Sequence, residues 1–140
     1  MSIATASLVQ IKWLDHIALR VRDLDASIRF YRDILGMELR GWDQYNAGKR
    51  TFVNVRAGTQ VIDLIPSSDF DRPAPGEASA RGLTHFCLVI ESVDLDELKT
   101  DLRSQGVDVF GGPIRRGQRL SLDCYDPDNY FVELSIEAPA

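Results

Sequence analysis

The sequence predicts an α+β protein built as two tandem βαβββ modules, with one helix packed outside each sheet. Three observations predict this: the chain repeats itself at an offset of about 70 residues, each repeat switches from period-two to helical spacing and back, and a proline-bearing stretch divides the halves. Leu14-Asp15-His16-Ile17-Ala18-Leu19 aligns with Leu83-Thr84-His85-Phe86-Cys87-Leu88, histidine on histidine at an offset of 69. Module one spans about 13–65, a linker 66–82 and module two about 83–137, within a single domain covering 1–140.

The elements follow in order. The first strand leads to Asp23, a residue suited to capping. Leu24, Ile28, Tyr31 and Leu35 then fall at helical spacing, and Gly36 ends the helix. Met37–Trp42, Arg50–Arg56 and Thr59–Ile65 read as strands, separated by Asn46-Ala47-Gly48 and Ala57-Gly58. Pro66 to Gly82, with three prolines, reads as a linker. In the second half Asp94 and Glu97 form a capping-box pattern ahead of Leu95, Leu98 and Leu102, and Gly106 closes that helix. Val107–Phe110, Gln118–Tyr125 and Tyr130–Ile136 are the matching strands, with Gly111-Gly112-Pro113 and Asp126-Pro127-Asp128-Asn129 as turns. Each module can bury one sheet face under its own helix and leave the other face to be shared.

Composition bounds the function. The chain has 140 residues with 44% hydrophobic and 26% charged, which is globular and long enough for a core without disulfides. A net charge of −5 disfavours nucleic acid as a partner. No apolar run is long enough to span a membrane, and Met1 to Gln10 carries neither a basic n-region nor a signal-peptide core. Two cysteines, Cys87 and Cys124, make no disulfide framework, so a reduced, cytoplasmic setting is expected.

The repeat also sorts the polar residues. Strand side chains alternate between faces, so His16 and His85 project away from the apolar Ile17, Leu19, Phe86 and Leu88. By the same parity Asp63 and Glu133 oppose Ile62, Leu64, Val132 and Leu134. Each module therefore offers one imidazole and one carboxylate at matched places. If a pseudo-twofold relates the modules, both pairs can converge, and the donor set suits Zn, Fe, Mn, Co or Ni. Asp123, with Val53 as its repeat mate at an offset of 70, is a polar residue facing either the pocket or a turn. Gly111 to Arg119 is a basic loop whose arginines, Arg115 among them, either grip an anion at the mouth or stand in solvent.

The motifs Leu14-Asp15-His16-Ile17, Phe30-Tyr31, Leu35-Gly36-Met37, Gly82-Leu83-Thr84-His85 and Asp126-Pro127-Asp128-Asn129-Tyr130-Phe131-Val132-Glu133-Leu134 resemble the vicinal-oxygen-chelate superfamily. That superfamily includes glyoxalase I, bleomycin- and fosfomycin-resistance proteins and extradiol dioxygenases. The resemblance runs from 13 to 137 and implies one cup-shaped, eight-stranded mixed sheet around a divalent metal ion, in a homodimer. It implies His16, His85 and Glu133 as metal ligands. Asp63 stands where glyoxalase I has a glutamate ligand, one methylene shorter, and would bind directly or through water. Arg20 matches a substrate-contacting arginine; its alternative is an ion pair with Asp63 or Glu133. Ring-cleaving members place a tyrosine where this chain has Asp123, which lowers the dioxygenase reading.

The resulting expectation is a glyoxalase-like lyase or isomerase acting on a small, oxygen-rich anionic substrate. Metal and two adjacent substrate oxygens would meet, Glu133 or Asp63 would move a proton, and Arg20, Asp123 and Arg115 would contact substrate. The rivals are an Fe(II) dioxygenase and a ligand-sequestering resistance protein without catalysis.

Overall fold

The structure is a computed structural model and describes residues 7–138; the reading of Met1 to Gln10 as free of a signal-peptide core falls mostly outside the described residues. Its strands are β1 His16–Val21, β2 Glu38–Arg40, β3 Val53–Ala57, β4 Gln60–Pro66, β5 Phe86–Val89, β6 Asp108–Arg116, β7 Arg119–Tyr125 and β8 Phe131–Glu137. The helices are α1 Leu24–Ile28, continued by a π-helical turn over Arg29–Ile34, then α2 Trp42–Asn46, α3 Glu77–Ala80 and α4 Leu95–Ser104. No helix among the described residues is long and apolar enough to cross a membrane.

The two halves have the same topology, as the repeat demands. The strands pair as β1-β4-β3-β2 and β5-β8-β7-β6, two sheets of four. In each, the first strand runs parallel to the last, and the remaining pairs are antiparallel. The α+β class and the paired βαβββ order are thus as expected, with the eight strands divided between two ladders. Leu19, Val21, Val53, Val55, Ile62 and Leu64 from one sheet, and Leu122, Cys124, Val132, Leu134 and Ile136 from the other, join Ile28, Phe30, Tyr31, Leu95 and Leu102 in one buried cluster.

The caps act as predicted. Asp23 accepts from the Ala26 amide at 3.2 Å, and Asp94 accepts from the amides of Asp96 and Glu97 at 3.0 and 3.1 Å. The first helix departs from simple helical spacing. The Leu35 amide reaches the Phe30 carbonyl, and Met37 the Tyr31 carbonyl, both at 3.0 Å. The wider turn turns two adjacent residues, Phe30 and Tyr31, toward the core, where their rings meet edge-on at 4.8 Å.

Four local expectations need correction. Met37–Trp42 shortens to β2, because Gly41 takes a φ of 84° and starts helix α2, which absorbs Asn46. The linker is not wholly irregular, since it holds α3. Gly111-Gly112-Pro113 is no turn; it lies inside a bulged β6, with register shifts between Val109 and Ile114. The basic segment is consequently a hairpin arm, and the chain reverses only at Gly117, with φ 61°.

What joins the modules is the turn Asp126-Pro127-Asp128-Asn129 between β7 and β8. One Asp126 oxygen accepts from the amides of Asp128 and Tyr130, both at 2.9 Å, which shapes the turn. The other accepts from the Tyr31 hydroxyl of module one at 2.6 Å. Asp128 accepts from the Arg22 amide at 3.0 Å, the Tyr130 hydroxyl donates to the Arg20 carbonyl at 3.2 Å, and Asn129 donates to the Pro73 carbonyl at 2.8 Å.

Burial pushes the Asp126 carboxyl up to about 6, against the hydrogen bonds from Tyr31 and Tyr130. A carboxyl raised in the folded state holds more protons there than when unfolded. Its stabilising contribution is therefore full below its unfolded value near 3.8 and is lost as pH rises through about 6. Urea unfolding from pH 5 to 7.5 should show the wild type losing about 1.4 kcal/mol relative to Asp126→Asn across that range. Parallel pH curves for the two proteins would contradict this.

Candidate functional site

The parity reading places the histidines and carboxylates correctly. Asp63 is in register with Ala18 on β1, and Glu133 with Cys87 on β5. His16 lies two residues before Ala18, and His85 two before Cys87, so each imidazole shares a face with its carboxylate. The structure pairs them within modules: His16 Nε2 is 3.7 Å from Asp63 Oδ2, and His85 Nε2 is 3.3 Å from Glu133 Oε1. Both rings are held from behind by the preceding residue. His16 Nδ1 bonds Asp15 Oδ2 at 2.8 Å, and the Thr84 hydroxyl lies 3.2 Å from His85 Nδ1. With Nδ1 engaged, each Nε2 is turned toward a carboxylate, and the space between them suits either a hydrogen on Nε2 or a metal ion. The bond to Asp15, and then the charge of Asp63, raise the His16 imidazole above its ordinary value.

The surroundings of the two carboxylates differ. Besides His16, Asp63 has one weak hydrogen bond among the described residues, from the Asn54 amide at 3.4 Å. Glu133 is 8% exposed and accepts from the Ser121 hydroxyl at 2.7 Å, with Ser135 3.2 Å from Ser121. Around it stand aromatic rings. Phe131 stacks on His85 at 4.7 Å, Phe110 stacks on Tyr125 at 4.3 Å, and Phe110 meets Phe131 edge-on at 5.0 Å.

The four predicted ligands come together as two pairs. Among the described residues no group of three or more His, Cys, Asp or Glu is placed to hold one metal ion within a single chain. A cleft of about 1090 Å³ runs along the module seam past Trp42, Tyr45 and the Asp126–Asn129 turn and includes neither histidine. The two histidine–carboxylate pairs lie on the other sheet faces instead.

The other predicted contacts sort by parity. Arg20 shares the His16 face and is exposed, and no ion pair involves it among the described residues, so the pairing with Asp63 or Glu133 is not formed. Arg115 pairs with Leu120, on the opposite face from Glu133, and its guanidinium lies 3.5 Å from the Gly117 carbonyl. Asp123 is on the Glu133 face but only 4% exposed, with both oxygens taken by Arg116, so it has no oxygen free for a substrate. Its counterpart in module one is Asn54, opposite Asp63, and not Val53. The chain from Asp123 to its partner Glu133 is one residue longer than that from Asn54 to its partner Asp63, which shifts the offset to 69 at this point.

Sequence reasoning passed over Asp15, Thr84 and Ser121, and counted Arg116 only among the arginines of the basic loop. Ser121 was within reach: a small polar residue between Leu120 and Leu122 on a strand falls on the Glu133 face by alternation alone.

A sequence model of the Glyoxalase/Bleomycin resistance protein/Dioxygenase superfamily matches residues 13–134. A protein of Synechocystis sp. described as a probable lactoylglutathione lyase is 34% identical over 128 residues, covering 87% of this chain and 93% of that protein. A crystal structure of a glyoxalase/dioxygenase from Nostoc punctiforme superimposes with a TM-score of 0.77 at 22% identity, over 99% of this chain and 100% of that one. The fosfomycin resistance protein of Listeria monocytogenes does so with a TM-score of 0.66 at 21% identity, over 92% and 96%. At such identities the two structures report on the fold alone.

Ser121→Ala should remove the strongest hold on the buried Glu133 oxygen and lower stability by about 1–3 kcal/mol in urea unfolding at pH 7. An unchanged midpoint would mean that Ser121 contributes nothing there.

Proposed function

Because the chain belongs to the glyoxalase/bleomycin resistance protein/dioxygenase superfamily, we propose that it is a divalent-metal-dependent enzyme of the glyoxalase type, a lyase or isomerase acting on a small, oxygen-rich anionic substrate. The observation that carries this is the matched pair of half-sites, each with one imidazole aimed at one carboxylate and anchored from behind. Two donors are too few for a stable site, and two imidazoles with two carboxylates suit Zn, Fe, Mn, Co or Ni. The residues fit a metal provided the half-sites meet, and the reading joins His16 and Asp63 of one protomer with the partner's His85 and Glu133.

The surface supports a homodimer. Leu14 and Leu83, each two residues ahead of a histidine, are 66% and 43% exposed, and Trp13 beside Leu14 is 62% exposed. Apolar side chains at matched rims of the two half-sites are what a contact between copies would cover.

When bound, the ion supplies Lewis-acid polarisation of adjacent substrate oxygens. The chain supplies the rest. Glu133 and Asp63 are the carboxylates placed to take and return a proton. Arg20, exposed and unpaired among the described residues, meets the anionic group of the substrate. Phe110, Tyr125 and Phe131 wall one side and limit water around Glu133. The free thiols, exposed Cys87 and buried Cys124, agree with a cytoplasmic setting.

Complementation tests the reading. His16→Ala and His85→Ala should each stay folded, lose metal and lose turnover of thiohemiacetal substrates. Mixed, unfolded and refolded together, they should regain about a quarter of wild-type metal and activity, since half the dimers are hybrids and each hybrid has one intact site. No recovery on mixing would place the site within one chain. A wild type that neither holds transition metal nor takes it up on titration would favour sequestration.

A further inference from the structure

Asp123 and Glu133 sit directly opposite each other in the β7–β8 ladder, on the same face, and both are buried. Like charges in that position repel. Arg116 resolves the conflict from the β6 arm, but unequally. Its two terminal nitrogens donate to the two Asp123 oxygens at 2.7 Å each, a bidentate fork, while Nη1 stays 3.5 Å from Glu133 Oε2. The Glu133 contact is longer than a good hydrogen bond.

The surroundings are built for this fork. Gly111 is in register with Asp123, and a Cβ there would stand 3.3 Å from Asp123 Oδ2, so a larger residue would crowd the carboxylate. The β6 bulges alter the register on the way to Arg116. On the other side Ser121 occupies Glu133 Oε2, which leaves Oε1 facing His85 Nε2.

A guanidinium released from Asp123 would find Glu133 as the next carboxylate within reach. Seated there bidentately, it would take both Glu133 oxygens, including the one that faces His85. We propose that Asp123 is a positioning residue that tethers Arg116 short of Glu133, near enough to balance the paired negative charges and far enough to leave Glu133 Oε1 open to a metal cation. The proposal rests on the reading of Glu133 as a metal ligand, and its structural half can be tested without metal.

Four full-length proteins decide it: wild type, Asp123→Asn, Arg116→Gln and the double variant. Metal-free crystal structures should show Arg116 in Asp123→Asn closing onto Glu133 in a bidentate pair. In calorimetric titration with Mn²⁺ alone, Asp123→Asn should bind on the order of 10- to 100-fold more weakly than wild type. The double variant should recover most of that loss, a rescue that a merely structural aspartate would not give. Arg116→Gln alone should bind at least as tightly as wild type, and this holds as a test even if Asp123→Asn does not fold. The proposal is overturned if Arg116 keeps its distance from Glu133 in Asp123→Asn, if the double variant shows no recovery, or if Arg116→Gln weakens Mn²⁺ binding as much as Asp123→Asn. Should wild type bind no Mn²⁺, the metal reading fails while the position of Arg116 in the metal-free crystals still decides the tether.

Discussion

One buried carboxylate, Asp126, holds this molecule in its working shape. Each module closes its own four-stranded ladder, so backbone pairing does nothing to fix one module against the other. Apolar packing joins them, but packing is non-directional. Direction comes from the turn that Asp126 organises: one oxygen shapes the loop, and the other takes the Tyr31 hydroxyl from across the seam. The π-helical turn that brings Tyr31 into the core is the matching provision in module one. A polar group buried this deeply is tolerable only when both oxygens are used, and here they are.

On the open sheet faces the duplication has been kept in outline and altered in detail. Both modules retain an imidazole braced from behind and aimed at a carboxylate. Their carboxylates then diverge. Asp63 stands beside the neutral Asn54, whereas Glu133 stands opposite a second carboxylate, hydrogen-bonded by a serine and approached by an arginine. A symmetric scaffold thereby presents one lightly held acidic group and one rigidly held one, which is how similar side chains acquire different tasks.

Much of this was legible in the sequence. The repeat, the two capping aspartates and the period-two alternation located six of the eight strands closely and put His16, Asp63, His85 and Glu133 on the right faces. What alternation could not show was the path of β6. Glycine and proline read as a turn, yet Gly111-Gly112-Pro113 sits in a bulged strand, because the cross-strand ladder to β7 outweighs local turn preference. That error hid Arg116, whose guanidinium reaches Asp123 only because the arm continues. It also promoted Arg115, which the same strand turns to the other face.

The amino-acid order by itself determined the family and the facing of each donor, since both depend on spacing along a strand and spacing is local. Only the tertiary structure decided which donors meet. Within one chain an imidazole finds the carboxylate of its own module, because β1 runs beside β4 and β5 beside β8, while the two modules are joined through the Asp126 turn rather than through the faces that carry the histidines. Distances between modules are set by packing across the seam, and no periodicity in the sequence encodes them.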